Sequence, residues 1–136
     1  MENSVLINMA IDAMKNAYAP YSEYLVGAAL LAKSGKVYIG CNVENASFGC
    51  TNCAERTAFF KAISDGEREF VKIAITGGKN GNVAEIVPCG ICLQVMSEFC
   101  DGDFGIITSL DNDQFKAYTL SQLLPYGFSK ENIDKV

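Results

Sequence analysis

The 136-residue chain contains no histidine at all. Without imidazole, neither a Ser-His nor a Cys-His nucleophilic pair can form, and no metal can be held by histidine. A metal site in this chain must therefore use thiolates, carboxylates or carbonyls. Long apolar runs are missing too: none approaches the roughly 18 to 20 residues that cross a bilayer, so no membrane partner is expected. The N-terminus lacks the basic-then-apolar order of a signal peptide. Basic clusters are also missing. Lys and Arg number 11 against 16 Asp and Glu, for a net charge of -5 and a pI near 4.6. Polynucleotide binders draw much of their affinity from a basic groove, so no nucleic-acid partner is expected and a small molecule is the expected ligand. Repeats, linkers and low-complexity segments are absent as well. A reducing, cytoplasmic setting is the default, so the six cysteines read as thiols rather than as a disulfide framework.

What is present is a packable chain. A hydrophobic content of 49% over this length is expected to give one domain, residues 1–136, with a real core. Leu6, Met9, Ala10, Ala13 and Ala17 recur at helical spacing, which predicts an amphipathic helix over residues 4–17 that stops before Pro20. Residues 26–32 and 37–43 read as the strands of a hairpin around Lys33-Ser34-Gly35-Lys36. A loop over 44–51 leads to a second helix over 53–64. Thr51 or Asn52 is its candidate cap, and Gly66 its terminator. Residues 70–76 read as a buried strand, 77–87 as a loop, and the stretch from Pro88 to Phe99 as a third helix. Strands over 104–110 and 116–120, a helical turn over 121–124 and a polar, loosely held tail from Ser129 complete the chain. Strands alternating with helices after a hairpin predict a three-layer α/β/α fold with a mixed sheet of about five strands.

The chemistry concentrates in Cys53-Ala54-Glu55-Arg56 and Pro88-Cys89-Gly90-Ile91-Cys92. Cys89 and Cys92 are three apart, so on the first turn of a helix they share a face. Cys53 opens another helix. Two helix N-termini aimed at one spot would favour thiolates over thiols. Zinc takes such ligands tetrahedrally, and three protein ligands leave one position for water, whose pKa zinc can lower from about 15.7 to about 7. Glu55 lies two residues from Cys53, outside the ligand set, where a carboxylate can move protons. Arg56 is the nearest cation and a candidate to offset thiolate charge.

Other readings of the same residues stay open at this point. Cys50 and Cys53 are also spaced Cys-x-x-Cys, so Cys50, Cys53, Cys89 and Cys92 could close a structural zinc site. The interval from Cys53 to Cys89 exceeds the roughly 15 to 20 residues of common four-cysteine sites, and that arrangement leaves Glu55 idle. Cys89 and Cys92 could instead be a redox pair at a helix start. Glu55 could simply complement a helix dipole. Cys41 and Cys100 read as small core residues.

Taken together, Cys-Ala-Glu followed by Pro-Cys-x-x-Cys matches the three-cysteine form of the zinc deaminase pattern. The chain resembles cytidine deaminase of the small homotetrameric kind from Tyr18 to about Phe128. Tyr18-Ala19-Pro20-Tyr21-Ser22, Val26-Gly27-Ala28-Ala29-Leu30, Gly40-Cys41-Asn42-Val43-Glu44-Asn45-Ala46-Ser47, both cysteine motifs with Gln94, and Leu123-Leu124-Pro125-Tyr126-Gly127-Phe128 carry the likeness. It implies one Zn2+ per subunit on Cys53, Cys89 and Cys92, with Glu55 as proton shuttle. It also implies Asn42 and Glu44 on the ribose hydroxyls and the Ala54 backbone on the pyrimidine edge. Tyr24 stands where the family usually has a Phe packed on the base, and Phe128 matches an aromatic given to a neighbouring subunit's site.

The implied reaction is hydrolytic deamination of cytidine and 2'-deoxycytidine, and the implied assembly is a homotetramer with active sites at subunit interfaces. The acidic charge favours a free nucleoside over a base held in DNA or RNA. Two departures stand out. Leu93 occupies a position where the family commonly has Arg, and Tyr126-Gly127 replaces a pair of small residues. A related deaminase acting on blasticidin S has a similar glycine, while the intact Asn-Val-Glu-Asn-Ala segment favours cytidine.

Overall fold

A computed structural model describes residues 1–110 and 113–134. Helix α1 (Asn3–Met14) leads into strands β1 (Tyr24–Ala32) and β2 (Val37–Cys41), a 3-10 turn (Phe48–Cys50) and helix α2 (Ala54–Ser64). Strands β3 (Phe70–Lys79) and β4 (Asn82–Ala84) precede α3 (Gly90–Phe99). Strands β5 (Gly105–Ser109) and β6 (Phe115–Thr119) and the short helices α4 (Leu120–Leu123) and α5 (Lys130–Asp134) complete the described residues.

The sheet runs β2-β1-β3-β5-β6, with β4 paired to the end of β3. β3 and β5 are parallel, with Ile73 opposite Ile106, and the other pairings are antiparallel. The sheet is mixed, as expected, but has six strands among the described residues. The sixth comes from a hairpin inside the stretch expected to be a loop. Asn80 and Gly81 sit at φ 57 and 78, the left-handed conformation that a tight hairpin turn demands.

Period-two alternation sends side chains to two cores. Leu30, Ile73, Ile75 and Ile106 face α2 and α3, where Phe59, Ala62, Cys92 and Met96 meet them. Ala29, Leu31, Ala74 and Ile107 face the other way, onto Leu6, Ile7 and Ala10 of α1. With helices on both faces, the central strands are buried on both sides, which is why they read as continuous apolar runs. Alanine and glycine on the α1 side let that helix come close. A Cβ on Gly27 would stand 2.0 Å from the Ala10 carbonyl oxygen.

Helix α1 ends at Met14, three residues short of the expected Ala17, and the chain turns through hydrogen bonds from Asn16 and Ala17 back to Ala13 and Met14. The expected tail from Ser129 contains α5, whose first turn is tied by Asn132 Oδ1 accepting from the Ser129 amide at 2.8 Å.

Candidate active site

The close packing of α2 on β2 sets the position of the chemistry. A Cβ on Gly40 would lie 2.5 Å from the Ala54 carbonyl and 2.6 Å from the Ala58 amide, so only glycine lets the strand pass this near the helix. Thr57 locks the contact. Its hydroxyl donates to the Cys41 carbonyl at 3.0 Å and receives the Asn52 side-chain amide at 3.0 Å. The end of β2, with Asn42 just beyond it, is thereby fixed to the first turn of α2.

Neither Thr51 nor Asn52 caps α2. Cys53 is the N-cap, and its side chain makes no capping bond. Cys89 occupies the same position on α3, again without a capping bond. Asn52 is spent on Thr57, and both thiols are left to point at each other.

Cys53, Cys89 and Cys92 place their sulfurs within 4.8 Å of one another. Cys53 Sγ is 3.8 Å from Cys89 Sγ, and Cys89 Sγ is 3.5 Å from Cys92 Sγ. Two thiolates on one tetrahedral zinc with bonds near 2.3 Å would stand about 3.8 Å apart. The three sulfurs fit zinc. Arg56 Nη2 donates to Cys53 Sγ at 3.2 Å. The Cys53 thiol is held down to about 5, chiefly by a hydrogen bond from Cys92, with Arg56 and Cys89 adding to it. Cys92, the donor in that bond and itself buried, is pushed up. Cys50 is exposed and lies outside the sulfur group, so the closed four-cysteine arrangement does not form.

Glu55, the second residue of α2, is 5% exposed, yet no oxygen of it joins the sulfur group. Burial, with the Cys53 charge adding to it, pushes its carboxyl up to about 7. A helix-start glutamate that only complemented a dipole would sit in solvent, whereas this one is enclosed beside the thiols. Cys100 is part-buried, and burial, with Asp101 adding to it, raises its thiol to about 12, as befits an inert filler. Leu93 is 7% exposed and packs in the core beneath α3, where an apolar side chain needs no charged partner.

Asn42 and Glu44 lie at the end of β2 and just beyond it. Asn42 Oδ1 accepts from the Val26 amide at 2.9 Å and its Nδ2 donates to the Tyr24 carbonyl at 2.8 Å, leaving one amide hydrogen for a ligand. Glu44 is held by Tyr21 and Ser22. These braces are not legible in the sequence, because the partners are far apart along the chain. Tyr24 opens β1, and its ring edge lies over Gly77, where a Cβ would stand 3.1 Å from Cε1. Ala54 is fully buried. The Phe128 ring is 61% exposed, while its carbonyl accepts from Gln94 Nε2 at 2.6 Å, tying the C-terminal segment to α3.

Two open clefts lie elsewhere. One, of about 520 Å³, runs along the solvent face of α2 past Thr57, Phe60 and Lys61. The other, of about 690 Å³, lies between the end of α3 and the C-terminal segment. Neither is lined by Cys53, Glu55, Cys89 or Cys92.

A six-stranded mixed sheet carrying three converging thiols and an unligated buried glutamate defines a zinc-dependent hydrolase of the deaminase class. Residues 1–108 match the family model described as the cytidine and deoxycytidylate deaminase zinc-binding region. The chain is 48% identical over 134 residues to a cytidine deaminase of Sporosarcina psychrophila, covering 98% of this chain and 96% of that one. It is 46% identical to the cytidine deaminase of Halalkalibacterium halodurans, covering 98% and 99%. The crystal structure of cytidine deaminase from Burkholderia pseudomallei superposes with a TM-score of 0.86 at 45% identity, covering 94% of this chain and 100% of that one. The chain belongs to the cytidine and deoxycytidylate deaminase family; it is a zinc enzyme, and Cys53, Cys89 and Cys92 form a cluster that could hold the ion.

Proposed function

We propose that the chain, acting as one domain, converts cytidine and 2'-deoxycytidine with water to uridine and 2'-deoxyuridine, releasing ammonia. The observation that carries this reading is Glu55, buried beside three thiols but not among them. Zinc bound there supplies the Lewis acidity that makes water nucleophilic near neutral pH. Glu55 takes one proton from the attacking water and gives it to the pyrimidine ring nitrogen next to the reacting carbon. It then takes the second proton from the hydroxyl left on that carbon and hands it to the amino group, which leaves as ammonia while the carbonyl forms. Such proton transfers are typically worth about 10²–10⁴ in rate. Arg56 balances thiolate charge from the Cys53 side. The remaining Asn42 amide hydrogen and the Glu44 carboxylate meet the ribose hydroxyls, and the Ala54 backbone meets the pyrimidine edge. The Tyr24 ring packs on the base.

The thiols line neither of the two clefts described above, and the Phe128 ring projects into solvent. This supports a homotetramer in which Phe128 of one copy covers the site of another, and light scattering on the purified protein tests it. No helix among the described residues is long and apolar enough to cross a membrane, consistent with a proposed cytoplasmic location.

A substrate panel tests the activity. Cytidine and 2'-deoxycytidine are expected to be turned over well above cytosine, because polar groups built for hydroxyls reject an analogue that leaves them unpaired. Faster turnover of blasticidin S than of cytidine would replace the reading with that of an antibiotic deaminase on the same zinc chemistry.

A further inference from the structure

Glu44, a half-buried residue, carries three internal hydrogen bonds on its carboxylate. Its Oε1 accepts from the amides of Tyr21 and Ser22 at 3.0 and 3.1 Å, and its Oε2 accepts from the Ser22 hydroxyl at 2.5 Å. The Ser22 Oγ accepts in turn from the Tyr24 amide at 3.0 Å, which fixes the direction of its own proton. Glu23, at φ 59, turns the chain out of this cradle and into β1. All donors come from one four-residue stretch, about twenty positions away from Glu44 in sequence.

An ionised carboxylate offers about four acceptor positions. Three are occupied here, two on Oε1 and one on Oε2. One remains, on Oε2, and the Ser22 hydroxyl decides where it points. Ser22, with Tyr21 beside it, holds the Glu44 carboxyl below its ordinary range and so keeps it an acceptor.

We propose that Ser22 is a positioning residue for the sugar end of the substrate, orienting Glu44 so that one carboxylate lone pair is pre-set for one ribose hydroxyl. This rests on the reading of Glu44 as a ribose contact. Without the Ser22 hydroxyl, the carboxylate pivots on its two backbone bonds and must be ordered when the nucleoside binds. Ordering one side chain on binding corresponds to an affinity loss of about 3- to 10-fold.

The experiment compares zinc-loaded wild type, Ser22→Ala, Ser22→Thr, Glu44→Ala and the double Ser22→Ala/Glu44→Ala variant. KM and kcat are measured on cytidine, together with Ki for 2',3'-dideoxycytidine, which lacks the 2'- and 3'-hydroxyls and keeps only the 5'-hydroxyl, as a competitor. Ser22→Ala is expected to raise the cytidine KM about 3- to 10-fold with kcat within about 2-fold. It is also expected to leave the Ki unchanged, to be rescued by Ser22→Thr, and to have no further effect on the Glu44→Ala background. An unchanged cytidine KM in Ser22→Ala beside a raised one in Glu44→Ala overturns the proposal and leaves the Glu44 reading standing. An unchanged KM in Glu44→Ala overturns both. Equal losses on cytidine and on the dideoxy competitor show general damage to the site and overturn the positioning role.

Discussion

The sulfurs of Cys53 and Cys89, far apart in the chain, stand 3.8 Å from each other at the N-caps of two different helices. An N-cap is normally held by Ser, Thr, Asp or Asn, whose oxygen accepts from the exposed amides of the first turn. Both helices forgo that bond. What they gain is a pair of thiols at the positive ends of two helix dipoles, close enough to share one cation. Cys92, one turn into α3, completes a donor set that suits zinc and leaves a coordination position for water.

Arg56 is the first residue to test around that set. Its guanidinium donates to Cys53 Sγ at 3.2 Å. Groups that orient and neutralise metal ligands typically contribute about 10- to 100-fold in metal affinity or activity. Arg56→Gln is therefore expected to weaken zinc binding by a factor in that range, read by competition with a chromophoric chelator. Zinc affinity and deamination rate both equal to wild type would remove Arg56 from the site.

Gly27 tests the packing of α1. A methyl group there would be driven into the Ala10 carbonyl at 2.0 Å and the Met14 amide at 2.6 Å, both backbone atoms that cannot rotate aside. Gly27→Ala is expected to destabilise the fold by about 1–3 kcal/mol or more, measured by urea denaturation of the zinc-loaded protein. An unfolding midpoint equal to wild type would mean that the helix does not lie this close to the sheet.

Tyr38 makes the stability depend on alkaline pH. Its hydroxyl donates to Asp65 Oδ2 at 2.5 Å, with Glu67 Oε2 at 3.1 Å, and Asp65 also receives Lys36 at 2.8 Å. The hydrogen bond to Asp65, with burial and Glu67 adding to it, raises the phenol from 10.0 to about 12. A raised acid stabilises the fold while it is protonated. Its contribution is therefore complete below pH 10 and is lost as pH rises through about 12. Tyr38→Phe is expected to show a shallower fall in melting temperature between those two values than wild type. Parallel curves would deny the link.

The layers were legible because alternation and length left little choice. Leu30 and Leu31 had to face opposite ways, and both needed a helix over them. The convergence of the thiols was legible in part because helical spacing alone puts Cys89 and Cys92 on one face. The β3–β4 hairpin was missed because Gly77 and Gly78 look like loop residues. In fact Gly78 is small because the Asn82 carbonyl passes 1.5 Å from where its Cβ would stand, and Asn80-Gly81 was the turn signal. The braces on Asn42 and Glu44 could not be read, since Val26, Tyr24 and Ser22 meet them only after β1 and β2 pair. Cys53 as an uncapped N-cap was hidden behind Thr51 and Asn52, better capping residues whose side chains the fold uses elsewhere.

The most direct test of the account is the loss of cytidine ultraviolet absorbance with wild type and Glu55→Gln side by side, and zinc assayed in both. Gln keeps the volume of the buried side chain and removes its proton transfer. The account predicts that the variant keeps about one zinc per subunit, as wild type does, and loses about 10²–10⁴ or more in kcat. A Glu55→Gln enzyme that holds zinc and deaminates cytidine as fast as wild type would contradict it.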